Sequence, residues 1–254
     1  MTSPAPNGID ATATSIAILE YLVGADGDVG VSQAAEELDI AKSMAYNHLS
    51  TLREAGYVVK RGRKYGPSMR SARLGEEIRR GIDVYERGRD YVGNLAEATD
   101  ETAELCVMER DSAVPVAIVG GSGDWTSPHR VGERTPIHAT AAGKAILASL
   151  APDRLDGLFG NLPLTALTDR TITDRGTLLG EIDDIRDSGV SFCREEQYSG
   201  IVGVGAPIDA AESTHTAALA IVGRIERLHG RYFEEDLVGQ VVSTANRIEV
   251  ELTE

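Results

Sequence analysis

The chain has 254 residues, 42% hydrophobic and 5% aromatic, with 40 acidic residues against 25 Lys/Arg and a net charge of -15. That length can bury sizeable cores in two domains, and two cysteines, Cys106 and Cys193, are too few for a disulfide framework. No apolar run approaches the roughly 20 residues of a membrane span, and no basic, hydrophobic signal segment opens the chain, so a reducing cytoplasm and no membrane partner are expected.

The charge is unevenly spread. Residues 1–41 carry seven acids and no Lys or Arg, residues 42–80 carry ten Lys/Arg and three acids, and the remainder carries fifteen Lys/Arg and thirty acids. A polyanion responds to the local patch, so 42–80 is where a nucleic acid would be gripped. Only four basic residues are Lys. Acid-rich, Lys-poor surfaces suit a salt-rich cytoplasm, which gives a halophile as the expected source and an ordinary acidic protein as the alternative.

After a terminus marked by Pro4, Pro6 and Gly8, the residues Ile16, Leu19, Leu22 and Val23 recur at helical spacing. Gly24 to Gly30 is a turn segment. Ser32 is the expected N-cap of a second helix with Ala34, Ala35 and Leu38 inward. A third helix is predicted from Lys42 to Ala55, with Ala45, Leu49 and Leu52 buried and Gly56 at its end. Residues 58–66 read as two short strands around Gly62, with Lys60, Arg61, Arg63 and Lys64 as cations. Three helices and a basic hairpin make a winged helix-turn-helix over 12–70. Its third helix would present Lys42, Ser43, Met44, Tyr46, Asn47 and Ser50 to the major groove. Asn47 suits adenine, the serines suit any base edge and Met44 suits a thymine methyl. Lys42, Arg53 and the wing cations suit phosphates, which fix register without reading sequence.

Residues 71–81 read as a polar linker helix and 82–98 as another helix. Strands are predicted over Glu104–Met108, Val114–Val119, Ile201–Ile208 and Thr216–Val222. Helices are predicted over Thr140–Leu150, Asp174–Ser188 and Tyr232–Leu252. This mixture implies an α+β domain over 82–254, built on an antiparallel sheet.

Several motifs invite catalytic readings. Gly143-Lys144 lacks the earlier glycine of a phosphate loop (His138 stands there) and the following hydroxyl (Ala145). Gly200, Gly203 and Gly205 do not match a dinucleotide fingerprint. Cys193 has no local base, and Cys106 reads as a core residue. His48, His129, His138, His215 and His229 show no metal-ligand spacing, so neither metal nor cofactor is expected, an interdomain zinc site being the alternative. His138 is expected to cap or pack near a helix start. Glu195, Glu196 and Arg194 read as rim residues or a solvated face.

Two sets of motifs resemble the IclR family of transcriptional regulators. The first comprises Ala34-Ala35-Glu36-Glu37-Leu38, Ala41-Lys42-Ser43, His48-Leu49-Ser50-Thr51-Leu52, Gly56-Tyr57-Val58 and Tyr65-Gly66-Pro67. The second comprises residues 135–145, Arg170-Thr171-Ile172-Thr173-Asp174, Arg186-Asp187-Ser188-Gly189, Arg194-Glu195-Glu196, Gly200 and Ala206-Pro207-Ile208. The resemblance spans residues 12–250. It implies a GAF-like α/β effector-binding domain, a homodimer or homotetramer and a small metabolite effector. Carried over position by position, the effector pocket falls on Ala141, Ala142, Cys193, Ile201, Gly203, Ala220 and Val222. Several relatives place polar groups at 193, 220 and 222, so an apolar-walled pocket with few polar anchors is expected. The function implied is a non-enzymatic regulator that binds double-stranded DNA at a near-palindromic operator. The alternatives are a Cys193-dependent hydrolase and a protein-interaction module.

Overall fold

The computed structural model describes residues 8–123, 125–209 and 213–253, so Pro4 and Pro6 lie outside it. The chain divides into two compact units between Ile78 and Arg79.

The first unit opens with α1 (Asp10–Gly24), which buries Ile18 and Leu22. Ile16 and Val23, expected inside, are 53% and 61% exposed. A small unit leaves α1 one narrow i, i+4 contact stripe, and those two side chains fall off it. Strand β1 (Val29–Gly30) runs straight into α2 (Val31–Glu37), so extended Gly30 is the N-cap and Ser32 lies inside the first turn without capping. The reason is tertiary: Gly30 is pinned opposite Lys64 in a small sheet. Helix α3 (Lys42–Glu54) buries Ala45 and Leu49, with Leu52 half-buried. Left-handed Gly56 ends it, with Gly56 N donating to Arg53 O and Tyr57 N to Leu52 O, a Schellman arrangement. Strands β2 (Val58–Arg61) and β3 (Lys64–Pro67) form the hairpin, turning at Gly62 with φ 62°. The sheet order is β1-β3-β2, and Ile18, Leu22, Val29, Ala34, Leu49, Val58 and Tyr65 form the core.

Helix α4 spans Arg70–Arg80, and the division between units falls within it. The second unit is an α+β layer structure. Its sheet, entirely antiparallel, has the order β6-β5-β4-β9-β8-β7. The strands are β4 (Thr102–Glu109), β5 (Ser112–Val119), β6 (Thr135–Pro136), β7 (Ser191–Arg194), β8 (Ile201–Ile208) and β9 (Ala217–Arg224). Alternation along the strands sorts side chains to two faces. Leu105, Val204, Leu219 and Ile221 pack on α5 (Asp83–Thr99) and α9 (Leu237–Thr253). Cys106, Cys193, Ala218 and Ala220 pack on α6 (Ala141–Ala148), α7 (Pro152–Phe159) and α8 (Arg175–Ser188). Helix α9 is preceded by a π turn over Tyr232–Asp236, whose Phe233 meets Phe192 edge-on at 5.4 Å.

The α6 face is built from small residues because the helix lies close to the sheet. A Cβ on Gly205 would stand 3.1 Å from Ala141 O and 2.9 Å from Ser191 Oγ. A Cβ on Gly143 would stand 2.2 Å from Ile137 O, so this glycine serves packing of the preceding turn. Thr140 caps α6, accepting from Gly143 N at 3.0 Å, and Arg186 donates to Ala148 O and Leu150 O at its other end.

Candidate nucleic-acid interface and effector pocket

In the first unit, the buried pair Ala45 and Leu49 sets the phase of α3. Lys42, Ser43, Met44, Tyr46, Asn47 and Arg53 are therefore exposed together, and Ser50 is half-buried at the margin. His48 Nδ1 lies 2.8 Å from Ser15 Oγ, which fixes α3 against α1. The four wing cations, equivalent in the sequence, separate here. Arg61 donates to Asp28 Oδ1 at 2.6 Å, and Lys60 Nζ stands 5.3 Å from the Tyr65 ring centre. Lys42, Arg53, Arg63 and Lys64 are exposed and form no ion pair among the described residues. The arrangement offers unpaired cations flanking a strip of hydrogen-bonding side chains, which suits a polyanion with readable edges.

In the second unit, Ala141, Cys193, Ile201, Gly203 and Val222 line one cavity together with His129, Gln197, Tyr198 and Val202. Two expected members do not line it. Ala142 follows Ala141 by one helical residue, a turn of about 100°, and lies in the core. Ala220 is fully buried between its sheet neighbours Gly205 and Glu104. The cavity volume is about 20 Å³, room for one water molecule.

The cavity is walled mostly by apolar side chains, and the polar groups that reach it, His129 and Gln197, belong to a hydrogen-bonded chain that runs into the interior. Glu104 is 1% exposed and His129 8%. Ser127 Oγ donates to Glu104 Oε1 at 2.8 Å, and His129 Nδ1 lies 2.8 Å from Glu104 Oε2. His129 Nε2 lies 2.7 Å from Gln197 Oε1. Burial alone would lower the His129 pKa, but the hydrogen bond and charge of Glu104, helped by Gln197 and Glu133, raise it. No local spacing reveals this set, because its members come from β4, the loop before β6 and the loop after β7. The one available signal is a carboxylate, Glu104, inside an otherwise apolar strand.

The loop after β7 is anchored at its root. Lys144 is fully buried and bonds Glu196 at 2.7 and 2.8 Å and also Glu181. Glu196 is thus no rim residue; burial pushes its pKa up although Lys144 opposes this. Glu195 pairs with Arg170 at 2.7 Å and accepts from Gly200 N at 2.8 Å. Thr168 and Thr171 hydroxyls donate to the Glu195 and Glu196 carbonyls at 2.8 and 2.6 Å. Arg194 stacks on Phe192, its guanidinium 4.5 Å from the ring centre. The tip, Gln197 and Tyr198, remains at the cavity.

Cys193 Sγ donates to Ala139 O at 3.2 Å, and burial, then the Glu196 charge, push its pKa up to about 11. This thiol is held protonated. His138 packs as expected, Nε2 lying 3.2 Å from Thr165 O. No cluster of three or more metal-ligating side chains occurs among the described residues.

The model of the IclR C-terminal region of bacterial transcriptional regulators matches residues 78–250, and that of the IclR helix-turn-helix domain matches residues 13–62. The chain belongs to the IclR family. Over 247 residues it is 31% identical to the "HTH-type transcriptional regulator Rv1719" of Mycobacterium tuberculosis, covering 95% of this chain and 92% of that one. It is 28% identical to the "Probable HTH-type transcriptional regulator ArcR" of Halobacterium salinarum over 97% of this chain and 95% of that one. The crystal structure of the Thermotoga maritima IclR superposes with a TM-score of 0.85 at 26% identity, covering 97% of this chain and all of that one. As an IclR-family member, the chain is a DNA-binding transcriptional regulator with a C-terminal effector-binding domain, and not an enzyme.

Proposed function

We propose that this regulator reads a near-palindromic operator as a homodimer or homotetramer, with two copies of α3 in successive major grooves. Asn47, Tyr46, Ser43, Ser50 and Met44 read base edges. Lys42, Arg53, Lys60, Arg63 and Lys64 contact phosphates, and Arg61 is held on Asp28 and orients the wing. The observation that carries this reading is the exposure of Tyr46 and Asn47 beside cations that have no acidic partner among the described residues. A metabolite in the cavity of Ala141, Cys193, Ile201, Gly203 and Val222 shifts the arrangement of the two reading heads through α4, with a coupling of ~1–3 kcal/mol.

The setting is a salt-rich cytoplasm. Affinity from counterion release falls with a slope of about -0.9 per phosphate against log salt, so base contacts carry more of the discrimination there. Mapping bound sites on chromatin, followed by footprinting at molar salt, tests the proposal. Protected two-fold-related half-sites are the expected result. Uniform binding to all fragments would reject it.

A further inference from the structure

Given the reading above, that this cavity takes the effector, its polar contact can be assigned. We propose that His129 is the specificity-determining residue of the pocket: its Nε2–H takes a carbonyl or carboxylate oxygen of the effector in place of the Gln197 carboxamide.

The geometry of Glu104 gives His129 a direction. A buried carboxylate only accepts, and its two oxygens are used by Ser127 Oγ and His129 Nδ1, both at 2.8 Å. Nδ1 therefore donates to Glu104, and because Gln197 Oε1 is likewise only an acceptor, Nε2 donates as well: the ring is doubly protonated beside the Glu104 carboxylate, and Nε2–H is the donor left to face a ligand. Its present partner is Gln197 Oε1 at 2.7 Å, an amide oxygen occupying an acceptor's place.

The other side chains around the cavity offer little competition. Ala141, Ile201, Val202 and Val222 are apolar, and the Cys193 thiol is spent on Ala139 O. The charged and titratable groups near the imidazole are Glu104 on β4, Glu133 in the loop before β6, Cys193 on β7 and Tyr198, whose ring centre lies 6.2 Å away. None of these is a cation. The ring is the positive donor of the site, and a ligand with an oxygen acceptor on a short apolar body matches it.

The site must open to admit such a ligand. With about 20 Å³ available, something has to leave. Ala141, Gly203 and Val222 are built into α6 and the sheet, whereas Gln197 and Tyr198 form the tip of a loop anchored at 195, 196 and 200. The Gln197 side chain is the removable part, and it can leave without unfolding the loop.

The test uses the full chain and three probes of similar size: butyrate, 2-pentanone and n-butylammonium. Binding is read by fluorescence of Trp125, the only tryptophan and two residues from Ser127, and by saturation-transfer NMR of each probe. The two acceptor probes are expected to bind at least tenfold more tightly than n-butylammonium. His129→Phe should abolish that preference. Gln197→Ala, at a half-buried loop tip, should tighten butyrate several-fold by removing the competing amide, and it keeps the test decisive if His129→Phe does not fold. Equal affinity for all three probes, no binding of either acceptor probe, or wild-type behaviour in Gln197→Ala would overturn the assignment. Ala141→Leu, which fills the cavity, separates the anchor from the pocket. Loss of butyrate in Ala141→Leu but not in His129→Phe sinks the anchor and spares the pocket, whereas butyrate binding unaffected by either sinks both.

Discussion

Lys144 Nζ lies 2.7 and 2.8 Å from the two carboxylate oxygens of Glu196, with the lysine fully buried and the glutamate 6% exposed. Glu181 of α8 places a second carboxylate on the same ammonium. The pair joins α6 to the loop that brings Gln197 and Tyr198 to the cavity. Removing one partner of a buried pair costs about 3–5 kcal/mol, because the other charge is stranded. Lys144→Met should destabilise the second unit by that order in urea denaturation. Combining it with Glu196→Gln should recover part of the loss.

The contact between Arg61 and Asp28 has a different consequence. Arg61 is 62% exposed, so the bridge contributes about 0–1 kcal/mol to stability. Asp28→Asn should leave thermal unfolding nearly unchanged and release Arg61 for a phosphate. Fluorescence anisotropy across salt concentrations should then show the slope steepening by about 0.9 per wing. An unchanged slope would mean that Arg61 only braces the hairpin.

Asn47 and Lys60 should separate reading from gripping. Asn47→Ala is expected to lose about 1–3 kcal/mol on the operator and little on random DNA. Lys60→Ala is expected to weaken both equally. Competition binding with operator and scrambled duplexes measures the difference.

Gly143 tests whether the Gly-Lys motif is structural. Gly143→Ala places a Cβ 2.2 Å from a backbone oxygen, a clash no rotamer change relieves. Overpacking of this kind costs about 1–3 kcal/mol. Gly180 in α8 has open space within 4 Å of where an alanine methyl would stand, so Gly180→Ala should stabilise by up to ~1 kcal/mol. Denaturation of the two variants should move in opposite directions.

His129 gives a pH signature. Its pKa is raised in the folded state, so the fold binds its proton more tightly than the unfolded chain does. The stabilisation is complete below the unfolded value of about 6.5 and fades as pH climbs through the raised value. The stability difference between the wild type and His129→Gln should therefore shrink from pH 5.5 to pH 9. A difference that grows over this range would contradict an ion pair with Glu104.

Much of this is legible in the linear chain where the physics is local. The period of Ala45, Leu49 and Leu52 sets the face of α3, and Gly56 and Gly62 mark the helix end and the hairpin turn through their left-handed backbone. The cationic segment stands out by charge alone. Strand and helix periods in the second half point to an α+β architecture, and residue-by-residue correspondence with a known family places five of the cavity's lining positions.

What the linear order does not contain is what distant segments do to one another. Ser32 loses its capping role because β1 fixes Gly30 first, and Ile16 and Val23 stay outside because they fall off the face that α1 packs on α3 and β3. Arg61 differs from Arg63 because folding brings Asp28 across from it. His129 stands 25 residues from Glu104 and 68 from Gln197, and each alone reads as an ordinary polar residue. Their chemistry exists because the sheet removes them from water together, and an unpaired polar group there would cost too much to keep.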